Sequence, residues 1–395
     1  MLVYGIALRV ASLLGRRPRK RRAGEGCAIL LTGRFHSDNW VSSHLRPLAA
    51  SPQCARLYVV ANYPVPPLPN LTLIAPPRWL RCLAGSVGAR LLTFAVVAVW
   101  KRPHYLGGFH LLLNGLAAAL VARLAGSRAV YFCVGGPAEV LGGGVGSENR
   151  LFSRLEVADP VIERRLLRAV RAFDLVITMG SQAVKFFREH DIDTRFAVVS
   201  GGIDHERFRA HPANALPGYD VVLVGRLVEI KRIDVFLHAL RRVADRLPNL
   251  RALIVGDGPL RATLERLARE LDLDCRVTFA GQRQDVGALL QQSRLFVLTS
   301  DSEGLALSLM EAMTCGLPAV VTDVGDLADL VRHGVNGYLV PPRAIDQLAD
   351  TLVALLTDSA RLARFSEAAR AAAQRYELTA VTRQWDEILA VSGWR

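Results

Sequence analysis

Four side chains in the second half of this 395-residue chain offer the clearest chemistry: the cations Arg226 and Lys231, and the carboxylates Glu303 and Glu311. The cations lie in Val224-Gly225-Arg226-Leu227-Val228-Glu229-Ile230-Lys231-Arg232, where a strand ends in Gly225 and a turn precedes a helix. Both would emerge near the strand's carboxyl end, a pairing that suits a diphosphate, with Arg acting as a planar fork and Lys as a compact point charge. A solvated helix start is the plain alternative. Cations at a helix N-terminus oppose the macrodipole, which disfavours a purely structural explanation.

The carboxylates lie in Ser300-Asp301-Ser302-Glu303-Gly304-Leu305-Ala306-Leu307-Ser308-Leu309-Met310-Glu311. Eight continuous helical residues would separate them by about 12 Å. The preferred arrangement leaves Glu303 in the loop and Glu311 on the helix, facing one cleft and accepting hydrogen bonds from hydroxyls of an extended ligand. Free N–H groups at the helix start then hold phosphate oxygens. Taken alone, the same residues read as capping and surface charge. Thr314 to Gly325, then Gly334-Val335-Asn336-Gly337-Tyr338 to Pro342, fit a helix stop, a buried strand, and a turn into a short strand.

Other phosphate cradles are missing. The run from Gly135-Gly136-Pro137 to Gly146 follows a strand but is not G-x-G-x-x-G, and no Gly-Lys dipeptide occurs for a P-loop. That run reads either as a flexible surface loop or as an acceptor-side lid. Asp191-Ile192-Asp193 and Asp272-Leu273-Asp274 have metal-binding spacing, but both follow helical patterns at turn positions and are read as turns. No metal or other cofactor is expected.

The elements that must position these groups alternate between apolar strand runs and helix-period segments, the pattern of parallel sheets covered on both faces. Strands are expected at 27–32, 57–61, 71–74, 129–134, 175–179 and 196–200, then at 220–224, 252–255, 277–280, 295–299, 319–322 and 338–340. Helical patterns fall between them, the last a long one over 344–374. The periods break near His205–Gly218, so the reading is α/β with two doubly wound, Rossmann-like domains facing a cleft. The expected boundaries are 1–22 for a basic leader, 23–204 and 205–375 for the domains, and 376–395 for a helix returning to the first. Ligands of such sheets bind beyond the carboxyl ends of the strands.

Composition is globular, with 51% hydrophobic and 22% charged residues. Basic residues outnumber acidic ones by 49 to 36, which favours phosphorylated molecules, anionic lipid or nucleic acid. No nucleic-acid module is recognisable. Six cysteines without CxxC spacing read as small buried hydrophobes in a reducing compartment. The apolar stretch from Leu2 to Leu14, followed by a basic run, reads equally as a frayed terminus or as an amphipathic leader on an anionic inner leaflet. Arg90 divides the apolar residues 82–100, so 103–122 is the nearer approach to a membrane span, although it reads as a buried strand-loop-helix.

Together these motifs resemble the family-4 retaining glycosyltransferases of the GT-B fold. Ser200-Gly201-Gly202-Ile203-Asp204 with Phe208, Gly256-Asp257-Gly258-Pro259, and Gly281 with Asp285 extend the likeness from about residue 170 to 342. The resemblance implies transfer of a hexosyl unit, with retention and without metal, from a nucleotide-diphosphate sugar to a hydroxyl of a glycan or lipid-linked acceptor. By this resemblance Arg226 and Lys231 stabilise the leaving diphosphate, Glu303 contacts the donor sugar and Glu311 holds the ribose. Gly304, Leu305, Ala306 and Leu307 meet phosphates or sugar, Gly225 lies beside them, Gly281–Arg283 lies near the base, and Gly33 allows close approach to the diphosphate. Two departures stand out. Ala306 replaces the usual Gly or Pro, and Gly135-Gly136 occupies the place where many members carry a histidine. The acceptor side is therefore assigned only to His36, Asn39, Trp40, Gly135 and Gly136. A silent nucleotide-sugar-binding protein, or an epimerase or phosphorylase of the same fold, is the alternative. The expected location is cytoplasmic, in peripheral contact with the inner face of an anionic membrane.

Overall fold

The computed structural model describes residues 2–19, 25–35, 37–145, 157–208 and 218–391. The chain divides into two compact units, Met1–Gly202 with Leu378–Arg395, and Ile203–Glu377. In the first unit seven strands run β1 (Cys27–Thr32), β2 (Cys54–Val60), β3 (Leu71–Ile74), β4 (Tyr105–Phe109), β5 (Arg128–Cys133), β6 (Leu175–Thr178) and β7 (Phe196–Val198). They form one sheet in the order β3-β2-β1-β4-β5-β6-β7. The second unit has β8 (Tyr219–Val224), β9 (Ala252–Val255), β10 (Val277–Gly281), β11 (Ser293–Leu298), β12 (Ala319–Thr322) and β13 (Gly337–Val340), in the order β10-β9-β8-β11-β12-β13. Every pairing in both sheets is parallel. Both units are Rossmann-like, and the fold is α/β of the GT-B type.

The strands read as continuous apolar runs because helices cover both faces. β6, β9 and β12 are buried at every position. In the second unit, Phe236 and Leu240 of the helix Ile233–Arg246 pack with Leu264, Leu352 and Phe365 on one side of the sheet. Met310, Met313 and Leu327 fill the other side. Each fully buried large aliphatic contributes about 1.5–3 kcal/mol.

β4 lies in the stretch expected as a buried strand-loop-helix, and every residue of it is buried, with Gly107 packed under Phe132. Several expectations are corrected. The pattern over 344–374 is two helices, Ile345–Thr357 and Ser359–Ala373, separated where the Asp358 side chain accepts the Arg361 N–H. The membrane-span comparison is reversed. Residues 103–122 hold a strand, a turn and the start of α4 (Leu116–Ala125), largely buried. By contrast α3 (Arg78–Lys101), kinked at Gly85, is long and apolar enough to cross a membrane, and only 28% of its most apolar window is buried. Arg90 does not interrupt α3. It turns inward, and its guanidinium donates to Thr32 Oγ1 and Asn114 Oδ1, both at 2.8 Å. α1 (Leu2–Leu14) packs against α4, with Tyr4 Oη donating to the Leu116 carbonyl at 3.1 Å. The terminal helix Leu378–Ala390 packs in the first unit against α2 (Asp38–Ala50), and its Trp385 ring lies 6.0 Å from that of Phe132.

Candidate functional site

In the second unit the strand order reverses between β8 and β11, and that switch point is where open parallel sheets bind ligands. The loops leaving these two strands carry the predicted groups. Lys231, after β8, donates from Nζ to Glu303 Oε1, after β11, at 2.5 Å. Ser300 Oγ donates to the same oxygen at 2.6 Å. Both partners are largely withdrawn from solvent, with side-chain exposures of 20% for Lys231 and 9% for Glu303.

The two loops are fastened to each other through their backbones. Thr299 Oγ1 donates to the carbonyls of Lys231 and Arg232, at 3.0 and 2.9 Å. The Asp301 N–H donates to the Ile230 carbonyl at 2.9 Å. Arg232 is left-handed at φ +47°, a strained conformation for a non-glycine residue that such fastening sustains. Arg343 forks onto Asp301 at 2.6 and 3.1 Å, and this contact holds the Asp301 carboxyl below the usual carboxylate range.

Tight backbone contacts fix the neighbouring turns. Gly225 donates to the Val255 carbonyl at 2.9 Å, and Leu227 to the Asp257 carbonyl at 3.0 Å. Between these anchors the Arg226 side chain stands exposed. Gly325, after β12, is left-handed at φ +53°, and a Cβ there would lie 2.8 Å from the Glu303 carbonyl carbon. The glycine is what lets the Glu303 loop close down.

The helix Leu307–Thr314 begins at Ala306 without a side-chain cap, so its first-turn N–H groups can receive an anion. Gly304, Leu305 and Leu307 are partly exposed, whereas Ala306 is buried. Glu303 is in the loop and Glu311 on this helix, where Glu311 is buried. Burial, with Glu311 nearby, pushes the Cys315 thiol up to about 12. Arg283 forks onto Asp285 at 2.7 and 2.8 Å, so its guanidinium is already engaged on its own turn. Asp191 and Asp272 are left-handed turn residues after helices, at φ +55° each.

The first sheet reverses between β1 and β4, and Gly33 and His110 follow those two strands. Gly33 is buried, and a Cβ there would meet Phe109 at 3.0 Å and Phe35 at 3.2 Å. His36 lies outside the described residues. Trp40 is half-buried and packs among aromatic rings. Its ring stacks on His44 at 4.2 Å and meets Phe109 edge-on at 4.9 Å. His44 is half-buried, and desolvation lowers its pKa to about 4. Asn39 is half-buried at the start of α2.

Gly135 and Gly136 follow β5 and lead into a short 3-10 turn over Gly136–Glu139. Gly135 lies against the buried carboxylate of Glu139, which the sequence reading missed. Glu139 accepts from the Gly135 N–H at 2.6 Å, the Leu111 N–H at 2.7 Å, Tyr131 Oη at 2.8 Å and His110 Nδ1 at 3.0 Å. Burial would raise its pKa, but His110 and the two backbone donors outweigh that and hold it below the ordinary value. His110 is left-handed at φ +64° with a side chain 38% exposed. One signal was available: residues 39–138 contain no acid, so Glu139 ends a hundred-residue acid-free stretch.

Residues 204–372 match the family described as Glycosyl transferases group 1. An exopolysaccharide phosphotransferase of Streptomyces coelicolor is 32% identical over 57% of this chain and 24% of its own length. The N-acetyl-alpha-D-glucosaminyl L-malate synthase of Bacillus anthracis is 32% identical over 38% of this chain and 39% of its own. The chain thus spans well under half the length of these curated relatives. In fold it is similar to HepE of Anabaena, solved with UDP and glucose, at a TM-score of 0.72 and 21% identity, covering 92% of this chain and 99% of that one. The family match thus falls within the second unit, and the likeness to HepE is one of fold.

Proposed function

We propose that this protein transfers a hexosyl unit, with retained anomeric configuration and without a metal ion, from a nucleotide-diphosphate sugar to a hydroxyl of a glycan or lipid-linked acceptor. The observation that carries the proposal is the Lys231–Glu303 pair, brought from two loops to the switch point of the group 1 domain. An uncapped helix start follows Glu303. The donor diphosphate sits against Arg226, Lys231 and that helix N-terminus. Glu303 fixes Lys231 and accepts hydrogen bonds from the donor sugar, while Glu311 faces the ribose.

In the reaction the acceptor oxygen bonds to the anomeric carbon on the face the nucleotide leaves, as the bond from that carbon to the phosphate oxygen breaks. The acceptor's proton passes to that phosphate oxygen. Preorganised positive charge at the leaving diphosphate supplies the rate enhancement. On the acceptor side, we assign His110, oriented by Glu139, to the role left open by the glycines after β5. It stands at the end of the adjacent strand, β4.

The test has two stages. Thermal stabilisation by UDP, GDP and ADP sugars identifies the donor, because tight ligands raise stability by mass action. UDP sugars come first, since HepE was solved with UDP and glucose. Turnover at saturating donor is then measured for Lys231→Ala and Glu303→Ala, each expected to fall about a hundredfold. Near-wild-type turnover in both would end the assignment.

A further inference from the structure

The large apolar side chains that stand exposed among the described residues gather on α1 and α3. Leu13 and Leu14 are 85% and 75% exposed, and Leu83, Val96 and Trp100 are 79%, 68% and 74% exposed. Leu92, Val96, Val99 and Trp100 recur at the spacing of one helix face, opposite Arg90, Phe94, Val97 and Ala98, which are buried in the unit. α1 and α3 both pack against α4, so the two exposed rows belong to one helical layer.

Charge marks what this layer meets. Residues 1–138 hold 17 basic and two acidic side chains, while the rest of the chain holds 32 and 34. The whole surplus of positive charge thus lies in the segment containing α1, α3 and α4. Part of it collects where these helices end. The Arg16 N–H donates to the Arg123 carbonyl at 3.0 Å, and Arg102 Nε to the Ala125 carbonyl at 3.3 Å. Arg16 and Arg17 are exposed, and so is Lys101, whose ammonium lies 4.0 Å from the Trp100 ring centroid. An aromatic ring and cations at the edge of an apolar face suit a lipid headgroup layer. A second copy of the chain would bring like charges together, which disfavours self-association. Spanning the bilayer would pull Arg90 from Thr32 and Asn114 and strip Phe94 from the core. A span by α3 would therefore dismantle this part of the core.

We propose that α1 and α3 form a docking face for an anionic bilayer, with the apolar rows at the acyl boundary and Arg16, Arg17 and Lys101 among lipid phosphates. The inference stands apart from the reaction proposed above, because it concerns a surface outside the Lys231–Glu303 site and is read without donor.

The experiment is co-sedimentation of the full chain with vesicles of phosphatidylcholine alone or with 30% phosphatidylglycerol (about 30%, a composition that sets a negative surface potential). Binding is expected only to the anionic vesicles, weakening with salt and reversed by alkaline carbonate. Each basic residue at the surface is worth about fivefold, so Arg16→Gln/Arg17→Gln/Lys101→Gln should bind about a hundredfold more weakly. Val96→Glu/Trp100→Glu should lose at least about tenfold with an unchanged melting temperature, since both side chains are exposed. Equal binding to neutral and anionic vesicles, or undiminished binding by both variants, would overturn the proposal. Carbonate-resistant binding would replace it with a span, and self-association abolished by Val96→Glu/Trp100→Glu, without vesicle binding, would replace it with a protein interface.

Discussion

Two glycines, Gly325 and Gly334, share a left-handed backbone, at φ +53° and +75°, but differ in their surroundings. A Cβ at Gly334 meets nothing within 4 Å, whereas one at Gly325 would lie 2.8 Å from the Glu303 carbonyl carbon and closer still to its oxygen. Real Cβ atoms essentially never approach within 3.0 Å, so Gly325→Ala must push the Glu303 loop away by about 1 Å. Both substitutions carry left-handed strain of about 1–2 kcal/mol. Only Gly325→Ala also disturbs the 2.5 Å contact between Lys231 and Glu303. A displacement of about 1 Å at a catalytic group costs on the order of a hundredfold in rate.

Gly334→Ala is therefore expected to lower the melting temperature by about 2–4 °C per kcal/mol and keep full turnover. Gly325→Ala should lose about a hundredfold in kcat with a larger fall in melting temperature. The assay is initial rate at saturating donor, with a thermal melt of each variant. Matching turnover in the two variants would refute the claim that the Glu303 loop must sit where Gly325 admits it. So would a loss in Gly334→Ala as deep as that in Gly325→Ala.

Other expectations follow from particular contacts. Glu139→Gln leaves donors from Gly135, Leu111, Tyr131 and His110 facing a poorer acceptor, and should cost about 2–4 kcal/mol in denaturant unfolding. Because the folded pKa of Glu139 is held below its ordinary 4.5, its contribution to stability is complete above that pH and is lost as pH falls through the folded value. Wild-type stability should therefore drop more steeply than that of Glu139→Gln in acid titration below about pH 4.5. Thr299→Val removes the one hydroxyl proton shared between the Lys231 and Arg232 carbonyls, and should lower both stability, by about 1–2 kcal/mol, and turnover. Transfer in the presence of EDTA should match transfer without it, and restoration by added divalent metal after chelation would contradict the metal-independent reading.

The alternation of apolar strands and helical periods was legible in the chain, because each pattern reports how a short segment meets a core on its own faces. The cations after β8 and the carboxylate after β11 were legible for the same reason, as local signals at strand ends. What joined them was not local. Lys231 and Glu303 are 72 residues apart, and they meet because β11 inserts beside β8 where the sheet reverses direction. Glu139 and His110, 29 apart, likewise meet because β5 lies beside β4. Arg90 looked like an interruption because a linear run shows a charge without showing which way it points. The ring partners of Trp40 were not legible, because Phe109 lies 69 residues away at the end of β4. Periodicity determined the elements, whereas strand order and the packing of one element on another decided which side chains share a site and which belong to the core.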